Sequence, residues 1–178
     1  MSEIFAQYLL ATPLSRLALV LVLVVGFLVA APIAARLRWN TWGTRLALWG
    51  LGGALIPTFV YRIGTLDAGV DLKAADTCLN QVSEAWLDPN SIANLLLLTP
   101  FAVGLLLASR SLLLTLGSVL ALGVAIEIGQ QITGLGACER GDLIRNVGGA
   151  LIAVGITELA LRATHRPTRD VRAVPHRP

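Results

Sequence analysis

The sequence predicts an all-α protein, a polytopic transmembrane helical bundle, and three observations carry that expectation. The first is composition: 55% of the residues are hydrophobic and only 14% charged, with a mean hydropathy of +0.72, whereas ordinary soluble domains are roughly 25% charged. The second is that apolar residues fall in runs of about 20, the length that crosses a hydrocarbon core of roughly 30 Å. The third is charge placement, with arginines gathered at alternate ends of these runs and acidic residues in one long loop. A chain of 178 residues suffices for several spans with short connections, but not for a further folded domain of ordinary size.

Five spans are expected. The first, about Leu14 to Ile33, is nearly free of polar groups. Ala30, Ala31 and Pro32 suggest a signal-peptide cleavage site, but Arg36 and Arg38 follow the run rather than lead it. The run also exceeds the usual signal core of about 7 to 15 residues, so it reads as a retained span. The second, Thr44 to Ile63, is interrupted by Gly50, Gly52, Gly53 and Pro57 and framed by Arg45 and Arg62. It predicts a kinked, closely packed helix with Gly50 and Ala54 as a small-residue face.

The third span, Ile92 to Ser109, follows Asp88-Pro89-Asn90-Ser91, where Asp, Asn and Ser suit a helix cap and Pro its first turn. Pro100 inside it removes a backbone hydrogen bond and predicts a bend. The fourth runs from Ser111 to Thr133 and the fifth from Asp142 to Leu161. The third and the fourth join directly at Ser109 and Arg110, which predicts a tight antiparallel hairpin. Residues 1–163 thus form the transmembrane domain. Residues 164–178 are basic and nearly without apolar groups, and are expected to be a disordered cytoplasmic tail. Its arginines suit anionic membrane lipids rather than nucleic acid.

Basic residues set the orientation. With the amino terminus outside, Arg36, Arg38, Arg45, Arg110, Arg162, Arg166, Arg169, Arg172 and Arg177 all face the cytoplasm. The loop after the second span carries Asp67, Asp71, Asp76, Glu84 and Asp88 against a single Lys73. The positive-inside rule therefore predicts a multi-pass protein of the cell membrane, N-out and C-in. Cys78 in the acidic loop and Cys138 between the last two spans then share the outer, oxidising side. A disulfide between them is expected, with two unpaired thiols as the alternative.

Against this apolar background one polar cluster stands out. Glu127, Gln130 and Gln131 are spaced i, i+3, i+4 on one face of the fourth span, and Asp142, Arg145, Asn146 and Gly149 share a face of the fifth. Arg140 lies at the start of that helix, and Asn94, in the first turn of the third span, enters the same layer. Ionisable groups at such depth cost about 2.5 to 3.5 kcal/mol each, which makes them functional by default. The two faces predict an outward-opening polar pocket.

Asn94 to Gly104 (NLLLLTPFAVG), Glu127-x-x-Gln130 and Asp142-Leu143-x-x-Asn146-x-x-Gly149 together resemble the VanZ-like family of small bacterial membrane proteins, over about Asn94 to Leu161. The family's named representative is associated with teicoplanin resistance. Gly141 stands where a second acid is common in the family, and Arg145 where an apolar residue is more frequent. The resemblance implies an envelope role.

Three functions fit. One is a non-enzymatic binding protein in which Arg140 and Arg145 meet a carboxylate or phosphate of a glycopeptide, cell-wall precursor or lipid headgroup, with Asn94, Gln130, Gln131, Asp142, Glu127 and Asn146 completing the ligand site. Another is an intramembrane enzyme or carrier of phospholipid or isoprenoid phosphate. No nucleophile stands beside a base and no metal-ligand cluster is present, and His165 and His176 lie on the tail, so no catalytic residue, cofactor or metal is assigned. The third is a structural network pairing Glu127 with Arg145 and Gln130 with Asn146.

Overall fold

A computed structural model describes residues 12–60, 63, 89–135 and 139–164, and every one of its described elements is helical. Helix α1 is Pro13–Leu37, and α2 is Thr41–Leu55, continued by a π-helical turn, Ile56–Val60. Helices α3 (Pro89–Leu97) and α4 (Thr99–Ser109) make up the expected third span, followed by α5 (Leu112–Thr133) and α6 (Arg140–Ala163). Among the described residues, four segments are long and apolar enough to cross a membrane: Pro13–Leu37, Ser91–Ser109, Leu112–Thr133 and Arg140–Ala163. The second expected span is not among them. Its α-helix has 15 residues, and Pro57, which has no N–H to donate, falls in the wider turn that follows. There the Thr58 hydroxyl donates to the Ala54 carbonyl at 2.7 Å.

The expected bend at Pro100 is present as a break, since Leu98 separates α3 from α4 and Pro100 sits in the first turn of α4. Side-chain caps begin the other helices where the sequence supplies them. Thr12 Oγ1 accepts from the Ser15 N–H, Asn40 Oδ1 from Gly43 and Ser111 Oγ from Leu114. The two tight turns at residues 38–40 and 110–111 both place an arginine, Arg38 or Arg110, in the left-handed region.

Small residues bring α2 and α4 together. A Cβ added at Gly43, Gly50 or Gly104 would run into the backbone of the opposite helix at Ala108, Phe101 or Ala47 respectively. The small-residue face expected at Gly50 and Ala54 therefore packs within the bundle, with Ala54 fully buried. Gly149 does the same on α6, where the Leu95 carbonyl of α3 occupies the space a Cβ would need. Leu98, Ala102, Leu106, Val119, Ile126, Ala150 and Val154 fill the core between these contacts.

The helices alternate in direction and give the bundle two unlike ends. One carries Arg36, Arg38, Arg110 and Arg162, and the other carries Glu127, Arg140, Asp142, Arg145 and Asn146. The proposed Cys78–Cys138 disulfide, the acidic loop and the tail beyond Thr164 lie outside the described residues.

Candidate functional site

The polar end is built on the turn between α5 and α6. Gly134 closes α5 in the left-handed conformation at φ 65°, where only glycine sits without strain, and its N–H reaches the Gln131 carbonyl. Helix α6 then begins at Glu139, whose own side chain makes no capping hydrogen bond. Glu127, almost two turns before the end of α5, supplies what that terminus lacks. Its Oε2 accepts the Glu139 N–H at 3.2 Å, while Oε1 accepts from Asn146 Nδ2 at 3.3 Å. One carboxyl group thus joins the start of α6 to a position two turns further along it.

Arg145 does not pair with Glu127. Its Nη1 donates to Asp142 Oδ1 at 2.8 Å, along the same helix at i, i+3 spacing. Space for the guanidinium comes from Gly141, where an added Cβ would stand 3.3 Å from Nη1. The Glu127–Arg145 and Gln130–Asn146 pairings of the structural network are replaced by Glu127–Asn146 and Asp142–Arg145. The i, i+3 spacing of Asp142 and Arg145 was the signal for the second pair. The backbone partner at Glu139 had no side-chain signal in the sequence.

Burial divides the predicted residues into a floor and a rim. Glu127, Asn146 and Arg145 are 1%, 2% and 4% exposed, whereas Asp142, Gln130, Gln131 and Asn94 are half-buried and Arg140 is exposed. Asn94 lies on α3 beside Leu95, whose carbonyl touches Gly149, but makes no hydrogen bond to Glu127, Arg145 or Asn146 among the described residues. Asn146 Oδ1 is buried and has no partner among them. The arrangement ties the start of α6 to α5 through Glu127 and presents the exposed Arg140 guanidinium, without an ion pair among the described residues, at its edge.

The VanZ/LLP1 family matches residues 16–161 of the chain, which takes in all but the first three residues of α1 and all but the last two of α6, so the protein belongs to that family. The match extends the resemblance seen in the last three spans to the first two. No curated protein and no solved structure is similar enough to match.

Proposed function

We propose that this VanZ/LLP1 family member is a non-enzymatic protein of the cell envelope, oriented N-out and C-in. Its polar end binds the carboxylate or phosphate of a glycopeptide, cell-wall precursor or lipid headgroup, and so modulates susceptibility to teicoplanin-type glycopeptides. The observation that carries this reading is the exposed Arg140 in the first turn of α6, with no ion-pair partner among the described residues. A cation at a helix N-terminus is disfavoured by the helix dipole, and an anion bound there would be stabilised by both. Asp142, Gln130, Gln131 and Asn94 supply further donors and acceptors around it.

The floor favours a second, structural role for its own residues, because both Glu127 oxygens already have partners. Binding at the rim and rigidity in the floor are compatible, and substitution separates them. Strains expressing Arg140→Gln are expected to lose the change in glycopeptide susceptibility at unchanged protein level. The exchanged pair Asp142→Arg with Arg145→Asp is expected to restore protein level but not susceptibility. Unchanged susceptibility in Arg140→Gln, or full restoration by the exchanged pair, would leave only the structural role.

A further inference from the structure

A second site lies at the basic end, on the outer face of α1 and α2. Arg45 projects from the second turn of α2 and lies between two rings. Its guanidinium carbon is 4.0 Å from the centroid of Phe27 on α1 and 4.6 Å from that of Trp42. The two faces attract a cation but do not satisfy its hydrogen bonds. Arg45 Nε is buried with no partner among the described residues, and no carboxylate there forms an ion pair with this side chain. The start of α2 is also the positive end of a helix dipole, the wrong place for a cation left alone.

Phe27 is shared with an apolar groove of about 310 Å³, lined by Leu23, Val24, Phe27, Leu28 and Trp49. Its floor is pinned where the Trp49 indole N–H donates to the Leu23 carbonyl at 3.1 Å. Gly26 makes that crossing possible, since an added Cβ would lie 2.8 Å from Trp49 Cδ1. Along the sides the groove is open, with Val24, Phe27 and Leu28 at 50%, 49% and 65% exposure. Arg45 is about one turn, or ~6 Å, inside α2, while Phe27 and Leu23 lie ~15 and ~21 Å from the end of α1. The groove itself covers Leu23 to Leu28, about 7.5 Å of helix, with the Arg45 guanidinium against its Phe27 ring.

We infer that this groove is a binding site for one anionic phospholipid, its acyl chain along Phe27, Val24 and Leu23 and its phosphate on Arg45. A half-buried guanidinium with no ion pair among the described residues, adjoining through Phe27 an apolar groove open to the lipid side, has the charge and the apolar surface that such an occupant needs. A zwitterionic lipid offers the same phosphate and chain but adds a headgroup cation that Arg45 repels, and a bare anion lacks the chain. The site opens to the leaflet on the side of the α1–α2 turn, whichever way the chain is oriented. In the N-out orientation this is the cytoplasmic leaflet, where anionic lipids concentrate.

Native mass spectrometry of the full chain released from nanodiscs of equal phosphatidylglycerol and phosphatidylcholine tests this. One phosphatidylglycerol retained per chain is expected, favoured by about fivefold or more, the factor that one charge is worth near a membrane surface. Arg45→Gln should bring the preference near unity. Leu28→Trp, which fills the groove from an exposed position, should lower retention of both lipids. Arg36→Gln, at the same end but outside the groove, should leave the preference intact. No preference in the wild-type chain overturns the site without reference to any variant. Equal losses in Arg36→Gln and Arg45→Gln would overturn it too, as they would reduce it to general attraction. Two further results would also overturn it: binding of inorganic phosphate with no lipid retained, or a dimeric mass that Leu28→Trp converts to monomer.

Discussion

The α2–α4 seam and the α5–α6 turn hold helices together by opposite means. In the seam, Gly43, Ala47 and Gly50 face Ala108, Gly104 and Phe101 so closely that backbone touches backbone. Among the described residues no side-chain hydrogen bond crosses between these two helices. At the turn, Glu127 reaches across to the Glu139 N–H and to Asn146. Lipid tails are as apolar as a helix surface, so association in a membrane draws on close packing or on polar contacts rather than on the hydrophobic effect. A seam of many weak contacts tolerates a change of chemistry and not of volume, whereas a few directional bonds tolerate the reverse.

The largest expected effect comes from volume in the seam. Gly104→Leu should cost about 3 kcal/mol or more, because the added atoms meet the Ala47 backbone and cannot be absorbed by a rotamer change. The measurement is the yield of monodisperse protein and its thermal midpoint in detergent; a near wild-type midpoint would break the account of the seam. Next comes chemistry at the turn. Glu127→Leu leaves the Glu139 N–H and the Asn146 amide without their acceptor and should cost about 1 to 3 kcal/mol. Glu127→Gln keeps an acceptor for the Glu139 N–H and can donate its amide N–H to Asn146 Oδ1 once that amide turns over, so it should stay within about 1 kcal/mol of wild type. If the two Glu127 variants unfold alike, the hydrogen bonds at this corner do not set its stability and the contrast with the seam fails. The smallest effect is at the cap between them. Gly134→Ala forces a Cβ into the left-handed region at φ 65° and should cost about 1 kcal/mol. Faster hydrogen exchange confined to the last turn of α5 would show that the strain stays local.

Much of the fold was legible in the sequence, for reasons that differ between elements. The runs that became α1, α5 and α6 were visible because spanning a membrane demands an unbroken apolar length, which no tertiary contact can replace. Pro100 announced the break at Leu98, whereas the expected start of the second span at Thr44 fell a turn late, because the Asn40 cap begins that helix at Thr41. The end of α2 was less legible. Gly52, Gly53 and Pro57 foretold irregularity, but whether the helix would kink, widen or stop depended on neighbours able to take up the displaced backbone groups.

The candidate site divides in the same way. Spacing placed Glu127, Gln130 and Gln131 on one face and Asp142, Arg145 and Asn146 on another, since helical geometry alone decides which residues share a face. It did not decide partners. Arg145 had carboxylates available on its own helix and on α5, and Gly141, by leaving room for the guanidinium, let it fold back on Asp142. Glu127 was then left to the Glu139 backbone and Asn146. Nothing in the sequence marked Arg45 as more than a flanking charge; the rings of Phe27 and Trp42 converge on it only once α1 and α2 are packed.

By itself, then, the sequence determined an all-helical membrane protein, the end of the bundle where its polar cluster lies and the faces on which its polar residues lie. Each of these follows from local length, period and composition, which the chain carries before it folds. Tertiary structure decided which carboxyl meets which donor, which polar residues are buried and which exposed, and that Arg45 lies against the rings of Phe27 and Trp42. Those outcomes depend on how closely two backbones approach, and that distance is set jointly by residues far apart in the chain, such as Gly149 with Leu95 and Gly26 with Trp49.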